Sequence, residues 1–286
     1  MPLTINTNVS SLNAQRYLSN NTRSLQKTME KLASGFRINR AGDDAAGLQL
    51  SENLRSQIRG AQKALDNTLD GLNVLNIADG ALQISVDNLQ RMRELAIQAA
   101  SDTYNGTQRA AIQVEVEQLL ADIDRIALAT EFNGVDLLSA ATPANFILQV
   151  GANTVVGVDT IDVVTTLGDA RANTLGITTW NGTALTANID SAANARNFIN
   201  LVDTALTALN TRRGRLGAMV NRLEGTSSNL SISVENLSSS ESRIRNVDVA
   251  LESANLTRNQ ILQQASNTVL AQANQTPQLA LQLLQG

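Results

Sequence analysis

The chain has 286 residues, a net charge of −4 with acids and bases interspersed, and 43% hydrophobic residues but only 2% aromatic ones. It contains no Cys and no His, which excludes disulfides, thiolate or imidazole metal sites and histidine-based catalytic triads. With no basic block and few rings to stack on bases, nucleic acid is not an expected partner, and no run approaches the ~18 apolar residues of a membrane span.

The first half of the chain has helical periodicity. Apolar residues spaced by three, four or seven predict an N-terminal helix, a second long helix running to about Ala100, and a third beyond the turn signal "SDTYNG". Helices joined by so short a turn form an antiparallel hairpin. The apolar positions of the first helix are Leu18, Leu25, Met29, Leu32 and Phe36, and those of the third are Ile112, Val116, Leu119, Ile123 and Ile126.

The pattern changes near residue 132. "FNGVDLL" contains an Asn-Gly turn, and residues 145–164 have β-branched runs on both sides of a Gly-Ala-Asn sequence, which predicts a β-hairpin. Residues 165–190 are rich in Thr, Gly, Asn and Ala and are predicted to be mainly loop.

Helical periodicity returns for the rest of the chain. A strict seam starts at Phe198, and a last stripe continues toward the C-terminus, where Thr276 and Pro277 predict a break before a short final helix. The seam contains Val202, Leu206, Leu209, Leu216, Val220, Leu223, Leu230, Val234 and Leu237, with Arg213 as an interruption; the stripe contains Ile244, Val247, Leu251, Ala254, Ile261 and Ala265.

These patterns predict a mainly α fold, in which long antiparallel helices form a coiled-coil rod or helical bundle with a small β-hairpin insertion. A single helix cannot bury its own apolar stripe, so the first and last segments need partners. Pairing the N-terminal arm with the C-terminal arm meets that need.

Both ends of the chain lack charge. No charged side chain occurs from Met1 to Gln15, and none follows Arg258. A solvated helix normally carries charges on its wet face, whereas amides can be covered if they find hydrogen-bond partners. The ends are therefore predicted to be covered in an assembly of several copies. The alternative is that they are frayed or disordered tails.

The segment "FRINRAGDDAAG" has two interpretations. Adjacent acids with glycines and arginines nearby could form a metal or phosphate loop, or the segment could be a joint between two long helices. Asp43 and Asp44 fit N-cap and first-turn positions, and Gly42 would relax the backbone before them. A metal or phosphate site would need more ligands or a phosphate-binding loop ending in Lys and Ser/Thr, so no cofactor is expected. Arg37 and Arg40 complete the predicted joint.

Several segments, in order, closely resemble bacterial flagellin, and the resemblance covers nearly everything outside about 165–190. The segments are "INTNVSSLNAQRYL", "LASGFRINRAGDDAAGLQLSENLRSQIRG", "LQRMRELAIQAASDTYN", "EFNGVDLL", "LQVGAN", "LGAMVNRLEGTSSNL" and "SRIRNVDVALESANLTRNQILQQASNTVLAQANQ".

The resemblance implies a minimal flagellin without large outer domains. Residues 1–39 and 243–286 would form a paired coiled-coil inner domain, and residues 40–138 and 190–242 a helical bundle. Residues 139–189 would supply the β-hairpin and variable surface loops. The joint would connect the two shells and touch adjacent subunits.

The same resemblance implies an extracellular subunit that polymerises with itself into the flagellar filament for motility. Its other implied partners are the flagellar type III export system, an export chaperone, the filament cap and the hook–filament junction proteins. The alternatives are a hook–filament junction protein, or a flagellin-like adhesin or glycan-binding protein with its site in residues 139–190. A metallopeptidase insert would need histidines, so catalysis is not expected.

Flagellins also carry a patch recognised by a host Toll-like receptor. The positions that match this patch are Gln90, Arg91, Leu95, Gln98, Ile112, Glu115 and Gln118. Leu119 stands where enteric flagellins have a basic contact, which would weaken recognition. The alternative is that Arg91 and Glu115 only stabilise contacts between subunits.

Overall fold

A computed structural model describes residues 7–139, 146–155, 157–163, 166–177 and 188–285. The elements within these residues are, in order, α1 (Val9–Ser34), α2 (Ala45–Ala99), α3 (Gly106–Ala129), β1 (Glu131–Phe132), β2 (Val135–Asp136), β3 (Ile147–Gln149), β4 (Thr160–Asp162), α4 (Ala192–Arg245) and α5 (Val249–Gln285). The predicted mainly α fold with a small β insertion is confirmed. The chain divides into two compact units, one of Met1–Ile58 with Glu235–Gly286 and the other of Arg59–Val234.

Local signals set the helix ends. Asn105 caps α3 through a capping box, in which its side chain accepts from the Gln108 backbone at 2.9 Å and its own backbone N–H donates to the Gln108 side chain at 3.0 Å. The turn predicted between α2 and α3 is therefore confirmed. At the end of α1, Gly35 adopts φ +74°, a left-handed conformation that suits glycine, and its N–H donates to the Lys31 carbonyl.

The predicted break at Thr276 and Pro277 is wrong. α5 runs without interruption from Val249 to Gln285. A proline lacks one N–H donor, and the helical bonds on both sides of it can still hold a long helix together.

The core of the Arg59–Val234 unit is built by α2, α3 and α4. Its fully buried members include Leu75, Leu82, Leu89 and Met92 from α2, Val116 and Ile123 from α3, and Phe198, Val202, Leu209 and Leu216 from α4. Arg213, the interruption in the predicted seam, is half-buried and donates from Nε to Asp79 at 2.8 Å. The seam is confirmed as far as Leu223, which is fully buried.

Two small hairpins follow α3. Asn133 and Gly134 have φ +52° and +74°, the left-handed pair that a tight two-residue hairpin turn between β1 and β2 requires. β3 and β4 pair antiparallel with Leu148 opposite Ile161. This confirms the predicted β-hairpin for its described residues; residues 145, 156 and 164 of that prediction lie outside them.

The second hairpin packs against α2 at two glycines. A Cβ at Gly71 would overlap the Leu148 side chain, and a Cβ at Gly60 would lie 2.9 Å from the Ala152 Cβ. Asn67 also donates to the Gln149 carbonyl at 3.0 Å. Small residues on this helix face therefore let the hairpin approach the helix closely.

Part of the segment predicted to be surface loop is buried. The buried residues are Leu167, Ala170, Ala172, Leu175 and Ile177, and all belong to the core cluster. Asp124 of α3 accepts from the Ala172 N–H at 2.8 Å, which fixes this segment to the helices. Residues 178–187 of the same prediction lie outside the described residues.

Candidate assembly surfaces

The N-terminal and C-terminal arms pair with each other as antiparallel helices α1 and α5. Amide and hydroxyl groups bond across their contact. The bonds run from Asn8 Nδ2 to the Ala273 carbonyl (2.7 Å), from Ser11 Oγ to Asn274 (2.8 Å), from Asn21 to Ser266 (2.8 Å) and from Asn259 to Thr28 (3.2 Å). The uncharged composition of the arms thus has a structural use, since neutral groups can satisfy one another where unpaired charges could not.

The contacting face of α1 follows a heptad pattern that mixes apolar and polar residues. Its buried and half-buried members are Ser11, Ala14, Leu18, Asn21, Leu25, Thr28 and Leu32, and those of α5 include Glu252, Leu256, Asn259, Gln263, Ser266, Leu270 and Ala273. Polar residues in a coiled-coil seam fix the register at a cost in stability. We call these two sets together the polar seam.

The apolar stripe predicted for the C-terminal arm does not face α1. Leu251, Ile261 and Val269 are 62%, 59% and 58% exposed, and Leu262 beside them is 43% exposed. We call these four residues, Leu251, Ile261, Leu262 and Val269, the outer stripe. The outer stripe is exposed to water in the single chain, although burial of an apolar face is what normally stabilises an amphipathic helix. The arms therefore pair through the polar seam and leave an apolar face open.

A groove lies where the outer stripe meets α1. It has a volume of about 320 Å³ and is lined by Ala14, Tyr17, Asn21, Leu262, Ala265, Ser266 and Val269. Tyr17 is 60% exposed, so the chain offers an aromatic ring and aliphatic side chains together at one surface. Contiguous exposed apolar groups of this kind mark interaction surfaces.

Backbone pairing holds the predicted joint together. Phe36 and Asn246 form an isolated antiparallel bridge, and the Val247 N–H donates to the Gly35 carbonyl at 3.0 Å. Arg37 donates from Nη2 to the Ile244 carbonyl at 2.6 Å. The link after α1 and the link between α4 and α5 are therefore fixed to each other.

Asp43 organises the turn before α2. Its carboxylate accepts from the backbone N–H groups of Asn39 and Arg40, each at 3.2 Å, and lies 2.6 Å from Lys27 Nζ. The hydrogen bond from Lys27 lowers the pKa of Asp43 to about 2; burial opposes this shift, and the two backbone bonds support it. Arg40 in turn pairs with Glu30 at 2.9 Å.

Acid should weaken this turn. Because the pKa of Asp43 is lower in the folded chain than its ordinary value of 3.8, the carboxylate stabilises the fold above that value and loses its contribution as the pH falls toward about 2. Lys27→Met should raise the pKa of Asp43 in a carboxyl carbon-13 NMR titration. Asp169, whose pKa is held at about 2 mainly by Arg171, is the internal control and should not change. An unchanged Asp43 titration would contradict the role given to Lys27.

Asp44 is the N-cap of α2. Its Oδ1 accepts from the Gly47 N–H at 2.9 Å, three residues into the helix. Gly42 is not among the glycines with positive φ. Gly47 is the glycine that packing requires, because a Cβ there would lie 2.9 Å from Ile38 Cδ1 and overlap the Asp44 side chain.

Removing this cap should loosen the first turn of α2. Asp44→Ala leaves the Gly47 N–H without its partner, which is expected to cost about 0.5–2 kcal/mol, whereas Asp44→Asn retains an accepting oxygen. Amide hydrogen exchange at Gly47 should accelerate in the alanine variant and change little in the asparagine variant. Equal acceleration in both would show that charge, and not capping, stabilises the turn.

Sequence reasoning missed two residues of the joint. Arg245 donates from Nη1 to Glu52 at 2.6 Å, and its guanidinium lies 4.8 Å from the centre of the Phe36 ring. Among the described residues, buried Arg245 Nε has no hydrogen-bond partner, and the guanidinium lies against the Phe36 ring face instead. Arg245 and Glu52 are 193 residues apart, so no local spacing could have indicated the pair.

Five residues of the predicted receptor patch are exposed, and the other two are buried in the core. Gln90, Arg91, Gln98, Glu115 and Gln118 are exposed, and Arg91 Nη2 pairs with Glu115 at 2.8 Å across the α2–α3 hairpin. Leu95 and Ile112 are buried at 3% and 8% exposure, so these two side chains are not available at the surface. They occupy inward positions of their helices, where they pack in the core cluster.

The chain is similar to known proteins over almost its whole length. Models of the bacterial flagellin N-terminal helical region and of its C-terminal helical region match residues 5–142 and 199–284. The flagellar filament 33 kDa core protein of Treponema phagedenis is 44% identical over 98% of this chain and 99% of its own length. A flagellin of Halalkalibacterium halodurans is 46% identical over the same shares. This chain belongs to the flagellin family.

The fold of this flagellin is also seen among solved structures. One of them is described as a putative flagellar hook-associated protein from Vibrio parahaemolyticus, with a TM-score of 0.58 over 71% of this flagellin and 100% of that chain. The two sequences are 14% identical, so the likeness concerns the fold alone and does not favour the junction alternative.

The described part of this flagellin has neither an acidic metal-binding cluster nor a membrane-spanning helix. The described residues contain no group of three or more acids that could hold a metal ion. None of the helices in the described part of the chain combines the length and apolarity needed to cross a bilayer.

Proposed function

We propose that this chain is a structural subunit of the bacterial flagellar filament, assembled outside the cell from many copies of itself. The observation that carries the proposal is identity of 40–46% over nearly the full length to flagellins and flagellar filament core proteins. The open apolar stripe of α5 supports it, because the stripe would be buried by neighbouring copies in a filament.

Assembly would couple folding to polymerisation. The polar seam gives the arms limited stability in a single chain, and burial of the outer stripe by neighbours would offset the ordering cost. Residues 1–39 and 243–286 would then line the inside of the filament, and residues 40–138 and 190–242 would form the next shell around it. The joint residues Arg37, Arg40, Gly42, Asp43 and Asp44 would connect these shells.

Several further partners belong to the same proposal. A subunit with loosely held arms suits export through the flagellar type III channel. A cytoplasmic chaperone would cover the α5 stripe before export, and the filament cap and hook–filament junction proteins would bind the arms at the two filament ends. The chain would have no catalytic role.

Seeded growth tests the main proposal. Purified subunit added to sonicated filament fragments should extend them into long fibres visible by electron microscopy. If it fails to extend seeds under conditions in which a known flagellin succeeds, the junction alternative is favoured instead.

We also propose that a host Toll-like receptor recognises the exposed polar part of the α2–α3 hairpin. The Arg91–Glu115 pair supports this, because both side chains are accessible in the single chain. Arg91→Ala should lower activation of a receptor reporter cell line by free subunit and leave seeded growth intact. Loss of growth with unchanged activation would assign the pair to contacts between subunits.

A further inference from the structure

A groove on α4 carries two arginines and three threonines for which filament assembly gives no role. It has a volume of about 530 Å³ and is lined by Thr204, Thr207, Ala208, Thr211, Arg212 and Arg215. All six residues lie in the Arg59–Val234 unit. The groove is open to solvent, and its six residues recur every three or four positions along one face of α4.

Arg212 is fixed at one edge of the groove. Its Nη1 donates to the Gly168 carbonyl at 3.0 Å and to the Asp169 carbonyl at 2.9 Å. Burial lowers the pKa of Arg212 and the positive charge of Arg215 acts in the same direction, while Asp169 opposes both. Arg212 and Arg215 are three residues apart on one helix, where side chains are neighbours, so their like charges repel each other. The two carbonyl bonds hold Arg212 in place.

Arg215 has a charge without a partner. It is exposed and, in the described part of the chain, makes neither an ion pair nor a side-chain hydrogen bond. The nearby Asp169 carboxylate does not supply one, because Arg171 and Thr174 already occupy its oxygens at 2.7–2.9 Å. An anion at this edge would relieve the repulsion and accept hydrogen bonds from Arg215.

The threonines specify the rest of the ligand. The hydroxyls of Thr204, Thr207 and Thr211 each donate at 2.8 Å to the backbone carbonyl four residues earlier. With its hydrogen used in this way, each hydroxyl offers only lone pairs to the groove. Sulfate has no donor for them at neutral pH, whereas a sugar hydroxyl does.

We propose that this groove binds an acidic saccharide, with the sugar carboxylate at Arg212 and Arg215 and sugar hydroxyls donating to Thr207 and Thr211. The ligand class follows from the pairing of cationic donors at one end with neutral acceptors along the helix. The filament proposal places these residues in the shell of residues 190–242 but gives none of the six side chains a contact. Binding to the free subunit therefore tests the site separately from filament growth.

Three probes separate the parts of the proposal. Tetragalacturonate has charge and hydroxyls, maltotetraose has hydroxyls alone, and sodium sulfate has charge alone. Titrations of the free, full-length subunit followed by amide and arginine Nε NMR shifts should show the tightest binding for tetragalacturonate, with shifts centred on the 204–215 turns. Binding of maltotetraose or sulfate as tight as that of tetragalacturonate would overturn the proposal, and so would the absence of any shift.

Variants with a matched control test the residues. Arg215→Gln should weaken tetragalacturonate binding at least tenfold. Arg222→Gln, which removes the same charge from an exposed position about two turns further along α4, should leave it unchanged. Thr207→Val combined with Thr211→Val should weaken tetragalacturonate binding without affecting sulfate. If both arginine variants lose the same affinity for tetragalacturonate, with unchanged far-UV circular dichroism, the effect comes from the overall charge of the subunit. That result would contradict the site.

Discussion

Replacing Leu262 by glutamate should abolish filament growth and leave the free subunit folded. Leu262 is 43% exposed and lines the groove of about 320 Å³ between α1 and α5. In the free chain its side chain is partly in water, so a carboxylate there costs little. In a filament the same position would be covered by a neighbour, where an unpaired charge costs several kcal/mol per subunit contact.

The measurement is seeded growth, followed by light scattering and electron microscopy, with circular dichroism of the free subunit as the folding check. Leu262→Met is the matched control, because it retains an apolar side chain of similar volume and should extend seeds at close to the parent rate. Normal growth of the glutamate variant would show that the outer stripe stays in water within the filament. That result would remove the main structural support for the assembly proposal.

The elements that local signals define could be predicted from the sequence. The three- and four-residue apolar spacing of α2, α3 and α4 is strong because each helix buries one face in the same core, as Leu82, Val116 and Val202 show. The Asn133-Gly134 turn was also predictable, because few residues other than Asn and Gly adopt two successive left-handed conformations.

Features that depend on distant parts of the chain could not be predicted. The Arg245–Glu52 pair joins residues far apart in sequence, and no spacing rule reaches that far. Leu95 and Ile112 were assigned to a surface patch by position in a family, although their inward helical phase buries them. On the α1 side of the polar seam, the predicted stripe of Leu18, Leu25 and Leu32 is confirmed. The α5 side was not predicted, because the apolar stripe of α5 is the stronger periodic signal although it faces outward.

α5 therefore has one face for α1 and a second, apolar face for a neighbouring copy. α5 presents a mixed face to α1, in which Asn259 and Ser266 bond across the seam between half-buried leucines, and it leaves Leu251, Ile261 and Val269 exposed. A seam with apolar residues at every position would hold the arms together more tightly in the single chain. The polarity of the seam is therefore expected to limit the stability of the arms, and the limit can be removed by mutation.

Asn21→Leu combined with Ser266→Leu should stabilise the arms in the free subunit. The two side chains bond to each other at 2.8 Å across the half-buried seam. Replacing both partners leaves no orphaned polar group, and each added leucine contributes up to about 1.5–3 kcal/mol if it becomes fully buried. Amide hydrogen exchange in α1 and α5 should slow at least tenfold.

The control variant carries leucines outside the seam. Asn20→Leu with Gln264→Leu adds the same apolar residue type at exposed positions of the same two helices, and exchange there should change little. If both variants slow exchange equally, helix propensity explains the effect and the seam does not. If exchange slows in the seam variant alone, its export from cells should fall as well. The proposed export channel passes unfolded chain, and the stabilised arms would unfold less readily.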